Sequence, residues 1–304
     1  MRIINNKNDA IQELKRISNR TNSENNNKTN AIVEEILKDV KTYGDIAVEK
    51  YTKKFDGFNP NPMQVSATDL KDAWDEIDIN LKHSLEVAYK RIKKFHEKEI
   101  PLSFTIEGEH GDKVQRRWKP VKNAGIYIPG GRAAYPSTVL MNAIPASVAG
   151  VEEIIMVSPG NTEGKINKTV LAAAHLSGIN KVFRIGGAQA IGALAFGTKQ
   201  ISKVDVITGP GNIYVTTAKK QIYGSTGIDS LAGPSEILII ADETAQSTHI
   251  ASDLLAQAEH DPLASSILLT TSKDQAKNVL EDLYKKIDDH PRKEICMQSI
   301  KNWG

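Results

Sequence analysis

From Asn30 the apolar positions fall three and four apart. Ile32, Val33, Ile36, Leu37 and Val40 share one face and Gly44 supplies a stop, the spacing of a helix laid on a core. A second, short helix follows Asp45. After a break at 57–62, Leu70, Trp74, Ile77, Leu81, Leu85, Ala88, Ile92 and Phe95 form another stripe with charged residues opposite, which predicts a helical region over about 68–98. The dense Lys and Glu of this first third read as a solvated surface. Ahead of it, residues 1–29 are rich in Asn, Lys and Ser, with a weak apolar patch at Ile11, Leu14 and Ile17. That pattern supports an N-terminal arm, of the kind laid against a partner subunit.

Near Pro101 the period changes. Residues 114–121 and 125–128 read as strands, and a regular alternation follows: a helix from Ser137, the strand 153–157, a helix from Asn167, the strand 181–185, a helix over 189–196, the strand 204–208 and a helix through Tyr223. It resumes with the strand 236–241, a helix over about 244–261 that Pro262 ends, the strand 264–271 and a helix over 273–287. Such alternation predicts right-handed βαβ units and a parallel sheet covered on both faces. The chain closes on Ile300-Lys301-Asn302-Trp303-Gly304, an apolar pattern that reads as the middle of a domain.

Composition narrows the partners. A chain of 304 residues, 40% apolar with a net charge of +2, is long enough for two domains and carries no block of charge suited to nucleic acid. No apolar run approaches the ~20 residues of a spanning helix, and the polar N-terminus lacks a signal-peptide core, so a cytoplasmic protein that binds neither membrane nor nucleic acid is expected. Cys296, the single cysteine, excludes an internal disulfide and an all-thiolate metal site. It reads as a small hydrophobe, with a nucleophilic thiol as the other reading.

Candidate chemistry gathers at three turns that each follow a predicted strand: Tyr127-Ile128-Pro129-Gly130-Gly131, Gly186-Gly187-Ala188-Gln189 and Gly209-Pro210-Gly211-Asn212. In a parallel sheet such turns share the carboxyl edge, where ligands bind, so Tyr127, Gln189 and Asn212 are expected to converge on one crevice. They are polar and uncharged, suited to a sugar or a carboxamide, while glycine amides and a helix N-terminus suit an anion. The common dinucleotide fingerprint is absent. Gly186-Gly187 through Gly192 has the wrong spacing, and Asp205 stands early in its strand where a ribose-binding acid belongs at the end. A second pair, Gln257 and His260, lies three apart on the predicted helix 244–261, so both could hold one metal ion. By spacing alone the signal is weak, since glutamine is an uncommon zinc ligand and a histidine in the last helical turn more often complements the helix dipole. Glu259 points to another face, and His175, His249 and His290 have no partner in the pattern.

These stretches resemble a known family. YIPGGRAAYPSTVLMNAIPASVAGV from Tyr127, GGAQAIGALAFGT from Gly186, TGPGNIYVTTAKKQIYG from Thr208, GIDSLAGPSE from Gly227 and LAQAEHDP from Leu255 are similar, in order and in spacing, to histidinol dehydrogenases. The resemblance implies an α/β fold of two Rossmann-like parallel-sheet domains of the aldehyde-dehydrogenase-like type. In that division residues 1–21 are the N-terminal helical arm, 22–127 with 236–304 form a discontinuous domain, and 128–235 form an inserted one. Tyr127, Gln189 and Asn212 match positions that contact NAD. Ser235, Gln257 and His260 match positions that bind the substrate, L-histidinol, and Gln257 and His260 also match two ligands of a zinc ion. The family is a homodimer that oxidises L-histidinol by four electrons to L-histidine, reducing two NAD.

The family's adjacent Glu-His acid/base pair, its other two zinc ligands and its dimer domain have no counterpart before Gly304. The resemblance therefore implies that no catalytic residue lies in this chain, that two ligands would hold zinc weakly, and that the chain alone turns over histidinol poorly. The other readings are a non-catalytic nucleotide-binding remnant of the same fold, and a relative that works on another alcohol or aldehyde through Cys296.

Overall fold

In the computed structural model, which describes residues 1–19, 25–130, 135–231 and 235–304, the chain divides into two compact units. One comprises residues 27–231 and the other residues 1–26 with 232–304. The chain starts in the second of these with α1 (Lys7–Ser18), which buries Ile17. Here the expected arm finds its place on its own chain. The Met1 ammonium donates to Tyr284 Oη at 3.0 Å, the Arg2 amide donates to the Gly304 carbonyl at 3.2 Å, and the Arg16 guanidinium lies 4.5 Å from the Trp303 ring centre.

The first unit opens with a helical layer. It comprises α2 (Asn25–Tyr43), α3 (Asp45–Asp56), α4 (Ala67–Glu76) and α5 (Ile79–His96). The stripe read as one helical region over 68–98 is therefore two helices. Ser66 and Asp69 form a capping box at the start of α4, and Asp78 starts α5 by accepting from the Asn80 amide at 2.8 Å. An aspartate that can cap a new helix competes with continuing the old one. Leu70 and Leu85 still bury in one cluster, which is why their periodicity runs through the break.

Next come the hairpin β1 (Phe104–Glu107) and β2 (Lys113–Arg116), exposed along both strands. The strand expected over 114–121 is shorter than its pattern, and β1 had no periodic signal. A parallel sheet follows, built from β3 (Asn123–Tyr127), β4 (Glu153–Val157), β5 (Lys181–Phe183), β6 (Val206–Thr208) and β7 (Gly227–Ile228), in the order β5-β4-β3-β6-β7. Its crossover helices are α6 (Pro136–Ala149), α7 (Lys168–Leu176), α8 (Gly187–Phe196) and α9 (Ile213–Ile222). Both faces are buried. Ile155 and Val157 join Val33, Val40, Val48 and Ile191 in one cluster, while Met156 and Ile126 join Leu85, Leu140 and Val170 in the other. A strand alternates its faces with period two, so a run buried on both sides reads as continuously apolar.

The second unit holds β8 (Glu236–Ile240) parallel to β9 (Ser265–Leu269), joined by α10 (Ser247–Ala258), then α11 (Lys273–Asp288) and α12 (Lys293–Trp303). Its core is Ile250, Leu254, Val279, Leu283, Ile287, Cys296 and Ile300, all buried. The units differ from the division implied by the resemblance, which joined 22–127 to 236–304. Residues 27–127 cluster instead with the five-stranded sheet, because the apolar stripes of α2 to α5 are buried against its strands and crossover helices.

Candidate functional site

The chain runs outward from β3 to β4 and β5, then returns to lay β6 against the other side of β3. Where strand order reverses in this way, the loops after the two neighbouring strands part and leave a crevice at the carboxyl edge. A cavity of about 600 Å³ opens there, lined by Tyr127, Gln189 and Asn212 together. The convergence expected from the three turns is thus observed for all three side chains; Gly131 of the first turn lies outside the described residues.

Each side chain arrives there for a local reason. Tyr127 ends β3 with 4% of its surface exposed, and its phenol oxygen accepts from the Gly187 amide at 3.2 Å. Burial pushes its pKa up to about 12, so the phenol stays neutral and keeps its own O–H as a donor. Gln189 stands in the first turn of α8, 1% exposed, with both amide atoms buried and unpartnered among the described residues. An unmade hydrogen bond of this kind costs about 1–3 kcal/mol per group, which a polar ligand would recover. Asn212 caps α9, its Oδ1 accepting from the amides of Tyr214 at 3.0 Å and Val215 at 3.1 Å. Its NH2 group is left as a donor.

The turn after β6 is held by two residues that the pattern did not single out. Gly209 has φ +111°, and a Cβ there would lie 2.1 Å from the Tyr127 carbonyl oxygen, so the close approach of β3 and this turn requires glycine. Its amide donates to Asp229 Oδ2 at 2.8 Å, and its carbonyl accepts from Lys219 Nζ at 3.0 Å. Lys219, 3% exposed, also pairs with Asp229. The sequence offered no signal for this link, since Lys219 is one of two adjacent lysines on α9.

The opposite wall comes from the helical layer, through Ile36 of α2 and Tyr51, Lys54, Phe55 and Asp56 of α3. Its charged residues, read as a solvated surface, are at this point the lining of the cavity. One Asp56 carboxylate oxygen is buried with no hydrogen-bond partner among the described residues, and burial pushes its pKa up to about 6. Asp205, by contrast, lies at the amino edge, accepting from the Lys122 and Asn123 amides at 2.9 Å each. It ties β6 to β3, as its early position in the strand implied.

Ser235, Gln257 and His260 belong to the unit containing β8 and β9. Ser235 is exposed at the entry to β8, its carbonyl accepting from the Ser265 amide at 3.1 Å. Gln257 ends in a buried Nε2 without a partner among the described residues. His260 is exposed and stands beyond the helix, because α10 stops at Ala258 and not at Asp261. Asp261 turns the chain toward Pro262 by accepting from the Leu263 amide at 2.7 Å. His260 therefore does not share a helical face with Gln257, and the two residues are linked by a backbone bond, His260 N–H to the Gln257 carbonyl at 3.3 Å.

His290 does have partners. Its Nδ1 accepts from the Arg292 amide at 3.1 Å, with Cys296 Sγ at 3.5 Å, and its Nε2 lies 3.3 Å from Glu259 Oε2. The proton thus sits on Nε2, toward Glu259. Burial first, and then the Glu259 charge, pushes the Cys296 thiol up. Fully buried and protonated, it lacks the thiolate that a nucleophile requires. His175, also read as unpartnered, stacks on Trp74 with ring centres 6.4 Å apart.

Among the described residues no three His, Cys, Asp or Glu side chains gather as a metal site. Gln257 and His260 offer two donors, whereas zinc takes three or four from protein. They fit half of a zinc site and do not make one.

Known proteins agree on a family. The model of the histidinol dehydrogenase family matches residues 19–304. Over all 304 residues the chain is 90% identical to a histidinol dehydrogenase of Prochlorococcus marinus (strain MIT 9312), spanning 69% of that protein. It is 53% identical to one of Parasynechococcus marenigrum (strain WH8102), spanning 70%. The crystal structure of histidinol dehydrogenase from Elizabethkingia anophelis matches 89% of the chain at a TM-score of 0.84 and 40% identity, with 63% of that protein covered. With the match running from residue 19 to the last residue, the chain belongs to the histidinol dehydrogenase family.

Proposed function

We propose that this chain serves the NAD-dependent oxidation of L-histidinol, through L-histidinal, to L-histidine, the last step of histidine biosynthesis. The observation that carries the reading is the meeting of Tyr127, Gln189 and Asn212 on one cavity at the point where strand order reverses. The reaction removes four electrons in two stages, and NAD, when bound, accepts a hydride in each. The lining suits that cofactor: Gln189 brings an acceptor and two donors with no partner among the described residues, and Tyr127 and Asn212 each bring a donor. The turn held by Lys219 and Asp229 keeps the backbone between β6 and α9 in place for it.

Ser235, Gln257 and His260 bind the substrate in this reading. Gln257 and His260 supply two donors toward zinc, whose remaining ligands would come from outside the described residues. A homodimer and a cytoplasmic site of action belong to the same proposal and rest on the family alone. No helix of the described residues is long and apolar enough to cross a membrane.

Calorimetric titration of NAD into the purified chain tests the reading. Gln189→Ala is expected to weaken binding about tenfold, the value of one or two buried hydrogen bonds. Equal affinity in wild type and variant would remove the cavity from the reaction. Histidinol-dependent NADH formation measures turnover separately, so a chain that binds NAD without it would favour the non-catalytic reading.

A further inference from the structure

Asp56 is costly where it stands. It is the last residue of α3, where the helix dipole disfavours a negative charge, and Gly57 at φ +78° ends the helix immediately after it. One of its carboxylate oxygens is buried, and neither an ion pair nor a hydrogen bond to it is present among the described residues. Burial is what raises its pKa. It borders the cavity beside Tyr127, whose phenol feels its charge. A carboxylate kept unpartnered at a cavity wall calls for a ligand that donates hydrogen bonds and carries no negative charge at that point.

The chemistry of a dinucleotide supplies such a group. In the common fingerprint an acid accepts from the ribose 2′-hydroxyl, and an arginine takes its place where the 2′-position is phosphorylated. Here the acid at the usual sequence distance, Asp205, is committed to the amino edge of the sheet. Among the described lining residues the acids are Glu35, which is exposed, and Asp56. We infer that Asp56 sets the cofactor specificity of this cavity, accepting from the hydroxyls of a ribose diol and rejecting a ribose that carries a 2′-phosphate. The inference rests on the reading of the cavity as the dinucleotide site and adds the residue that discriminates.

Titration of the 304-residue chain with NAD and with NADP tests it, using wild type, Asp56→Asn, Asp56→Ser and Gln189→Ala. Wild type is expected to prefer NAD by about tenfold or more, and both Asp56 variants to bring the ratio close to one. Equal wild-type affinity for NAD and NADP would overturn the inference without any variant. So would an unchanged ratio in both Asp56 variants while Gln189→Ala still weakens NAD, and the reading of the cavity would then stand. If NAD failed to bind wild type, that reading would fall and the inference with it.

Discussion

Gln189 and Asp56 show how far a single residue can stand from its own stability optimum. Gln189 buries an amide with neither atom bonded among the described residues, and a leucine of similar size would leave nothing unsatisfied. Gln189→Leu is therefore expected to raise stability by about 1–2 kcal/mol in denaturant unfolding while weakening NAD binding about tenfold, as Gln189→Ala does. A variant less stable than wild type would mean that the amide has a partner in solution. For Asp56 the sign follows from its pKa, held at about 6 in the folded chain against an ordinary 3.8. Between those values the folded state holds a proton that the unfolded state has lost, so stability is full below about 3.8 and declines as pH rises through about 6. Asp56→Asn should unfold later than wild type at pH 7 and together with it near pH 4. The difference is on the order of 1 kcal/mol, since the group is partly exposed and solvent screens its charge. No gain at pH 7 would show the carboxylate to be paired.

At the scale of elements, a turn is defined by what holds it. Lys219 on α9 reaches back to the Gly209 carbonyl and to Asp229, whose carboxylate accepts from the amide of the same glycine. Lys219→Met removes one partner of this pair and leaves Asp229 a third exposed, which tempers the penalty of stranding a buried charge. A loss of about 2–3 kcal/mol is expected in thermal or denaturant unfolding, with NAD binding weakened as the turn relaxes. Unchanged stability would mean that Gly209 is held by its neighbours alone. Most elements were legible because their signals are local: Asn167 and Asn212 cap α7 and α9 at the expected positions, and β4 spans 153–157 as its apolar run implied. The misreadings are also physical. Two helices sharing one apolar cluster imitate one, and the four-residue strand β1 has too few positions for a period to register.

At the scale of the molecule, the strand order places three loops distant in sequence around one cavity, and the helical layer closes it from the other side. Ser235, Gln257 and His260 lie on the other compact unit, where two metal donors stand without a third among the described residues. Zinc added to the purified chain is therefore expected to be lost on dialysis against chelator-free buffer, and faster in His260→Ala. Retention of one zinc per chain would reveal ligands beyond the described set.

By itself the sequence determined the alternation of strand and helix, the parallel sheet that follows from it, and three glycine-bounded turns at one edge. Period, caps and turn residues are properties of neighbours along the chain, and the parallel arrangement then leaves the turns no other edge to occupy. Only the tertiary structure decided that Asp56 borders the cavity, that Lys219 finds Asp229 across ten residues, and that His290 reaches Glu259. Those contacts depend on how helices pack against a sheet or against each other, and packing joins residues whose separation along the chain leaves no periodic trace.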